Sequence, residues 1–347
     1  MQWQVFPIQQ YPTDLWQDWQ HLADQHHAGN PMLGSIFVKL LVEFFGTELY
    51  VARGEQDSNL VALMLLEKGR KGIWRGFKPS QAQITLLVMD KEISPCIYQL
   101  PSVLPGLCLK IDIFGLDSSE HSVWIDAAKN KQHYATNVQL KRFKEFTQYW
   151  HPRPKNLRKN ISRYFNKLET DECSVNYVAI TKPEDIKRSV DRYGILESAG
   201  WKGKNGTALH PSNLQGQFYR ELLNLSAEAG SALVFETYLN DELSASRLCI
   251  FCDNKFVILK TTFDEDFKKY SLGKLNLYKL IEYVHQSVTC THIDFYTNAS
   301  KEQIDWSTEQ RPMYNISIYP NHLIDKLMPM LSTMRSKLKQ LARVQAS

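Results

Sequence analysis

The sequence predicts an α/β (α+β) chain of two tandem domains, each a mixed, mostly antiparallel sheet flanked by helices. Three observations support this prediction. The second half alternates short apolar strands with amphipathic helices, the first half repeats that order more loosely, and a basic stretch with two prolines separates them. We therefore expect domains at residues 1–150 and 151–320, followed by an amphipathic helix at 321–347.

Length and composition narrow the class of protein. The chain has 347 residues, 43% apolar and 12% aromatic, which is enough to bury a core in each of two domains. Its 41 Lys and Arg residues nearly balance 37 Asp and Glu residues, so we predict no DNA partner. The sequence has no signal-like N-terminus and no apolar run long enough to span a membrane, which predicts a cytoplasmic protein. Scattered cysteines and isolated histidines predict neither a disulfide nor a metal site.

The first half contains two helical patterns and four strand patterns. The helices are predicted at residues 13–27 and 36–45, and the strands at 48–53, 60–67, 72–76 and 107–114. This half lacks a loop rich in glycine and lysine before a helix. We therefore expect it to form a wall of the substrate cleft and not to hold a cofactor.

A basic stretch at residues 141–167 separates the halves, with nine basic residues and one acid. Pro152 and Pro154 interrupt any helix there, and an amphipathic helix follows them, so the domain boundary is predicted near His151. The cations form either an ordinary solvated helix face or a wall that attracts an anionic donor or acceptor.

The second half has the order β-α-α-β-β-β-α-β. A strand at 174–180 precedes a helix that begins at Pro183 and a second helix at 213–229. Strands at 232–239, 243–251 and 256–263 are joined by tight turns into an antiparallel meander. A helix at 274–286 and a buried strand at 292–296 complete this order, and a short helix and a last strand at 315–319 follow.

The loop between the third meander strand and the next helix has the chemistry of a phosphate site. Helix N-termini present free amide groups, and lysines add positive charge, which together suit the diphosphate of a nucleotide cofactor. The loop residues concerned are Lys268, Lys269, Tyr270, Ser271, Gly273 and Lys274. The competing interpretation is an ordinary turn between a strand and a helix.

Four segments of this half resemble one known family: LESAGWKGKNGTAL, FYRELLNLSAEAG, LKTTFDEDFKKYSLGKLNL and IDFYTNASKEQIDW. They resemble the CelD/BcsL-like acetyltransferases of the GNAT superfamily and FemAB-like group, which are associated with bacterial cellulose and exopolysaccharide biosynthesis. The resemblance covers residues 156–306 and implies tandem GNAT-like domains with an acetyl-CoA or other acyl-CoA donor. It further implies that a sugar, polysaccharide or cell-envelope precursor attacks the thioester directly. The family's usual SPG is Ser271-Leu272-Gly273 here.

Candidate site residues follow from the chemistry and from these blocks. The acceptor must lose a proton, and the candidate bases are Glu197, Asp264 and Glu265, with Glu197 favoured. Exposed backbone at 257–262 could align the pantetheine arm, which adds Lys260, Thr261 and Thr262 to the cofactor set. The residues expected to contact substrate are Trp201, Lys202 and Tyr296. Tyr296 and Tyr270 are also possible proton donors to the departing thiolate, and core packing is the alternative for both.

Two other functions stay open at this point. One is a FemX-type transferase that uses aminoacyl-tRNA, which the basic stretch would allow; tRNA is a partner only in this case. The other is a degenerate, non-catalytic GNAT scaffold in an export complex. The helix predicted at 321–347 either packs on its own domain or contacts an anionic membrane surface or a partner.

Overall fold

A computed structural model describes residues 1–27, 29–93, 96–321 and 324. The strands are β1 (Gln2–Pro7), β2 (Leu49–Gln56), β3 (Asn59–Lys68), β4 (Ile73–Gly76), β5 (Leu87–Met89), β6 (Lys110–Asp117), β7 (Asn130–Lys141), β8 (Val175–Ile180), β9 (Ala232–Leu239), β10 (Glu242–Phe251), β11 (Lys255–Phe263), β12 (His292–Asp294) and β13 (Glu309–Ile318). The helices are α1 (Leu15–His26), α2 (Ser35–Phe45), α3 (Leu100–Val103), α4 (Ser122–Ala127), α5 (Phe146–Trp150), α6 (Lys155–Thr170), α7 (Pro183–Ala199), α8 (Trp201–Lys204), α9 (Leu214–Glu228), α10 (Leu272–Ser287) and α11 (Lys301–Trp306).

The chain folds into two compact units. The first comprises Met1–His26, Thr47–Tyr134 and the described residues from Pro312 onward, and the second comprises His27–Gly46 and Ala135–Arg311. The domain boundaries at residues 150 and 320 stay predictions, and the predicted helix at 321–347 lies outside the described residues except for 321 and 324. Within the described ranges, no helix is both long enough and apolar enough to cross a membrane.

The first unit is built on a mostly antiparallel sheet. Its strand order is β1-β2-β3-β4-β6 followed by the C-terminal part of β13, with β5 beside β3. Only β4 and β6 run parallel among these pairs. Trp74 and Trp124 are fully buried in the core, and Trp3 packs edge-on against Trp124 with 6.1 Å between ring centres. Each of these aromatic rings buries a large apolar area and so stabilises the core of the unit.

The second unit contains the predicted meander. Its strand order is the end of β7, then β12-β11-β10-β9-β8, and β11 and β12 are the parallel pair. The antiparallel meander of β9, β10 and β11 matches the prediction to within one residue at each end. This mixed, mostly antiparallel sheet with flanking helices confirms the predicted fold class.

Helices cover both faces of this sheet. Alternate strand residues Phe235, Ala245 and Cys249 share a core with the apolar sides of α6 and α10. On the other face, Glu236 of β9 accepts a bidentate hydrogen bond from Arg192 of α7, with Nη2 to oxygen distances of 2.9 and 3.0 Å. The two-residue period of a strand therefore decides which helix layer each side chain meets.

A bulge interrupts β11 at Leu259. Ile258 pairs with Cys249, but Lys260 pairs with Leu248, so Leu259 is an extra residue in the ladder. Beyond the bulge, Thr261 lies opposite Arg247 on the face that α10 covers, and Lys260 lies on the face of α7 and α9. A single inserted residue thus exchanges the faces that the following side chains occupy.

The parallel strands β11 and β12 pair over only three residues. Their pairing runs from Lys255 and His292 to Val257 and Asp294, where β12 ends. Among the described residues, the part of β11 from Ile258 to Phe263 therefore has no strand partner on this side. Its backbone groups there border an opening in the sheet.

Candidate active site

A pocket of about 550 Å³ lies at this opening, entirely within the second unit. It is bordered by the unpaired part of β11, the first turn of α10, and α11 with the residues around it. The lining residues are Arg247, Ile258, Thr261, Phe263, Lys268, Ser271, Gly273, Lys274, Leu277, Phe295, Ser300, Glu302, Gln303 and Trp306. Apolar walls and a few cationic and hydroxyl groups suit a long ligand with one charged end.

The first turn of α10 presents amide groups at this pocket. Ser271 precedes the helix in the left-handed conformation, with φ of 50° and no side-chain cap. The amides of Lys274 and Leu275 donate to the Ser271 carbonyl oxygen at 2.8 and 3.2 Å. The preceding amides, of Leu272 and Gly273, have no acceptor in the described part of the chain. They therefore remain available to an anionic group, which the positive end of the helix also favours.

Gly273 permits a close approach at this point. A Cβ atom on residue 273 would lie 2.9 Å from Cδ1 of Phe263, which is closer than real contacts of this kind. The absence of a side chain therefore lets the helix start pack directly against β11. Phe263 itself is 45% exposed, so it forms an outer wall of the pocket.

The structure separates the predicted cofactor residues into two groups. The pocket is lined by Thr261, Lys268, Ser271, Gly273 and Lys274. It is not lined by Lys260, Thr262, Lys269 or Tyr270. Lys269 Nζ lies 3.0 Å from Asp171, and the Tyr270 hydroxyl donates to the same carboxylate at 2.7 Å. These two side chains therefore tie the loop to the end of α6.

One pocket residue was not predicted from the sequence. Arg247 of β10 is 6% exposed, and its guanidinium donates to the Gly273 carbonyl at 3.0 Å and to the Asn276 side-chain oxygen. Burial lowers the pKa of Arg247 to about 10. Nothing in its local sequence identifies it, because an arginine inside an apolar strand is equally expected to reach solvent.

Glu197, the favoured base, is buried at the end of α7, and its carboxylate accepts three hydrogen bonds. It is 2% exposed. Its Oε1 accepts from the Tyr193 hydroxyl at 3.0 Å and from Lys202, and its Oε2 accepts from the Leu209 amide at 2.7 Å. The carboxylate therefore holds together the helix end and the loop that follows it. The predicted substrate contact Lys202 is one of its partners.

The other candidate bases are more accessible. Glu265 is exposed, and its Oε1 lies 4.0 Å from where a Cβ on Gly200 would stand, close to the end of α7. Its carboxylate makes no hydrogen bond or ion pair within the described ranges. Asp264 instead accepts a hydrogen bond from the Asp266 amide at 2.9 Å, which stabilises the turn after β11. Trp201 is 54% exposed beside this region, as a substrate contact requires.

Lys260 lies on the face of the sheet that α7 and α9 cover, as Glu197 of α7 does. Its Nζ is 5.3 Å from the ring centre of the buried Tyr219. Burial lowers the pKa of Lys260, and the positive charge of Lys202 acts in the same direction, whereas the charge of Glu197 opposes it. Because of the bulge at Leu259, the Lys260 side chain lies near Glu197 and Tyr219 and does not line the pocket.

Tyr296, the third predicted substrate contact, lies in a buried network. It is 3% exposed, and its hydroxyl accepts hydrogen bonds from Asn30 at 2.8 Å and Lys255 at 3.0 Å. The adjacent Asp294 is fully buried and bonds to Asn137 and Arg311. These contacts fix the end of β12. Across the described ranges, no cluster of three or more His, Cys, Asp or Glu side chains could hold a metal ion.

The bulged strand, its short parallel partner and the helix that starts at the opening define a fold of the GNAT and FemAB-like class. FemX aligns with a TM-score of 0.60 at 10% identity, over 94% of this chain and 100% of that one. The C-terminal domain of a protein described as a lysylphosphatidylglycerol synthetase, from Agrobacterium fabrum, aligns with a TM-score of 0.58 at 12% identity, over 92% and 95%. A tandem GNAT protein from the clavulanic acid biosynthesis pathway aligns with a TM-score of 0.50 at 9% identity, over 92% and 99%. At such identities these likenesses show the fold alone.

A family model adds the link to chemistry. Residues 155–303 match the acetyltransferase (GNAT) domain model, and these residues include α10, Glu197 with its hydrogen-bond partners, and every pocket-lining residue except Trp306. No curated protein matches the chain. The family match and the fold together support an acyltransferase, which confirms the prediction of an enzyme of this class.

Proposed function

We propose that the protein transfers an acyl group from acetyl-CoA, or another acyl-CoA, to a nitrogen or oxygen atom of an acceptor. The observation that carries the proposal is the 550 Å³ pocket at the start of the 16-residue helix α10, next to the unpaired edge of β11. One end of this pocket offers amides and cations, and the other offers strand backbone and apolar walls. A coenzyme A thioester presents complementary groups in the same order: an anionic diphosphate, then the pantetheine amides and the thioester.

In this proposal the donor's diphosphate binds at the first turn of α10. The amides of Leu272 and Gly273 donate to its oxygens, and Lys268 adds a positive charge. A helix N-terminus alone stabilises an anion by on the order of 1 kcal/mol, so several hydrogen bonds must act together. The pantetheine amides then bond to the backbone of β11 beyond Ile258, as an added strand would.

The acceptor attacks the thioester carbon directly. A bond forms from its nitrogen or oxygen to the acyl carbon, the carbon–sulfur bond breaks, and coenzyme A leaves as a thiolate that takes up a proton. The acceptor's own proton passes to a carboxylate, and the exposure of Glu265 favours it over the fully bonded Glu197 for this step. Trp201 would pack against the acceptor.

The acceptor we propose is a sugar, polysaccharide or cell-envelope precursor, and the reaction takes place in the cytoplasm. The support for this acceptor is the resemblance of four sequence segments to the CelD/BcsL-like acetyltransferases. A C-terminal helix that contacts a membrane surface or an export complex would suit such an acceptor, and it belongs to the same proposal.

A thermal-shift experiment tests the donor. Acetyl-CoA at about 100 times its dissociation constant should add roughly 2.7 kcal/mol to the free energy of unfolding. Gly273→Asp should abolish the shift, because its carboxylate repels the diphosphate and its Cβ would displace Phe263 at the pocket wall. Leu214→Asp, which places the same charge in the first turn of α9, is the matched control and should keep it. Absence of a shift in the unmodified protein with any acyl-CoA would contradict the proposal.

A second donor class is supported by one observation. An open groove of about 490 Å³ on α6 is lined by Lys155, Arg158, Lys159, Ser162, Arg163 and Asn166. Four cations along one helix side would suit the backbone of an aminoacyl-tRNA. If tRNA is the donor, its affinity should fall steeply with salt, and Lys159→Ala should reduce the slope of log affinity against log salt by about 1. Binding of acyl-CoA but not tRNA would exclude this alternative.

A further inference from the structure

Arg247 differs from Arg311, which is buried to the same extent in the same unit. Arg311 is paired with the carboxylate of Asp294, and the more exposed Arg192 is paired with that of Glu236 at 2.9 Å. In the described part of the chain, Arg247 forms no ion pair, and its Nε–H group has no acceptor. Its two hydrogen bonds go to neutral oxygens, those of Gly273 and Asn276.

A buried guanidinium without a counter-ion lowers the stability of the unliganded protein. A buried charge without a counter-ion loses most of its hydration, and neutral hydrogen-bond acceptors replace only part of it. A short hydrophobic side chain at this position would avoid the cost. The arginine therefore makes physical sense if an anion completes the site.

The location of Arg247 indicates where that anion binds. Its side chain extends from β10, lines the pocket and donates to the Gly273 carbonyl in the first turn of α10. Through the Gly273 carbonyl it holds the turn whose Leu272 and Gly273 amides have no acceptor among the described residues. Its positive charge therefore adds to that of the helix N-terminus, and the low dielectric of the interior strengthens the effect.

We propose that Arg247 is the specificity-determining cation of the donor site, which selects donors with an anionic diphosphate over uncharged thioesters of the same acyl group. The inference rests on the proposed acyl-CoA function. It assigns Arg247 an electrostatic and positioning role, with no part in proton transfer.

The test compares two donors, acetyl-CoA and acetyl-pantetheine, which share the thioester but differ in the phosphates. Arg247→Gln should weaken acetyl-CoA binding by about tenfold or more and leave acetyl-pantetheine binding within about twofold. Arg247→Lys, which keeps the charge, should retain most of the preference for acetyl-CoA. The dissociation constants are measured by calorimetry at two salt concentrations.

Arg142→Met is the matched control. Arg142 donates from Nη2 to the His285 carbonyl at 2.9 Å and so contacts the opposite end of the same helix, α10. It should lower stability without changing the ratio of the two affinities. If Arg247→Gln weakens both donors equally, or neither, Arg247 is only structural and the inference is overturned, while the proposed function stands. If the unmodified protein binds neither donor, the proposed function fails and the inference fails with it.

Discussion

At the scale of single residues, the two carboxylates near the end of α7 have different surroundings. Glu197 is buried and accepts three hydrogen bonds, whereas Glu265 is exposed. A carboxylate whose oxygens are occupied stabilises structure more readily than it receives a proton from substrate. Substitution of each carboxylate should therefore have a different effect, which distinguishes their roles.

Glu265→Gln should lower kcat by about 10²- to 10⁴-fold without changing Tm, because it removes only a proton acceptor. Glu197→Gln should instead lower the free energy of unfolding by about 1–3 kcal/mol, because a Gln has one acceptor oxygen, so its NH2 group must face either the Leu209 amide or the donors Tyr193 and Lys202. Steady-state kinetics and urea denaturation measure the two effects. Loss of activity in Glu197→Gln at unchanged stability, with Glu265→Gln active, would assign the base to Glu197.

Lys260 gives a prediction about pH. Its folded-state pKa lies below the usual value of 10.5, so between these two pKa values the unfolded chain binds more protons, and the free energy of unfolding rises with pH through this window. Below the window the charged, partly buried amine lowers stability. Lys260→Met should therefore have a higher Tm than the unmodified protein near pH 7, and the difference should shrink as the pH approaches 10.5. Lys182→Met, at an exposed lysine, should show no such trend; equal behaviour of both variants would contradict the assignment.

At the scale of elements, α10 and α11 meet across the pocket through a salt bridge. Lys274 Nζ lies 3.2 Å from the Glu302 carboxylate, and both residues are partly exposed. The acid reduces the positive potential that a diphosphate would experience. If a diphosphate binds in the pocket as proposed, its affinity depends on this pair as well as on the helix start.

Glu302→Gln should tighten acetyl-CoA binding by about two- to fivefold at low salt, since exposed pairs of this kind contribute about 0.2–1 kcal/mol. The gain should disappear at high salt. Glu282→Gln is the matched control, because Glu282 pairs with Lys279 farther along α10. Weaker binding in Glu302→Gln, or an equal gain in the control, would show that the diphosphate binds elsewhere.

The elements also show what sequence patterns can and cannot predict. The meander and α10 follow from local apolar periods and tight turns, and their ends are predicted to within about two residues. The strand β7 was missed, since two thirds of its side chains are polar or charged and its pairing with β12 is nonlocal. The bulge at Leu259 was also missed, because one inserted residue leaves no local signal. Because of that inserted residue, Thr261 lines the pocket and Lys260 does not.

At the scale of the whole molecule, the features of the candidate site are concentrated in one unit. The family match at residues 155–303, the pocket and the Glu197 cluster all fall within the second unit. Sequence reasoning predicted the helix start and five lining residues, but it missed Arg247, whose importance depends on a partner 26 residues away along the chain. Burial and missing counter-charges are properties of the folded structure, so they could not be predicted from local patterns.

A crystal structure with coenzyme A bound tests most directly whether a nucleotide diphosphate binds at the first turn of α10. We expect phosphate oxygens within hydrogen-bonding distance of the Leu272 and Gly273 amides, with the pantetheine arm along β11 beyond Ile258. Coenzyme A bound with its phosphates away from this turn, or with the turn occupied by protein side chains, would contradict it.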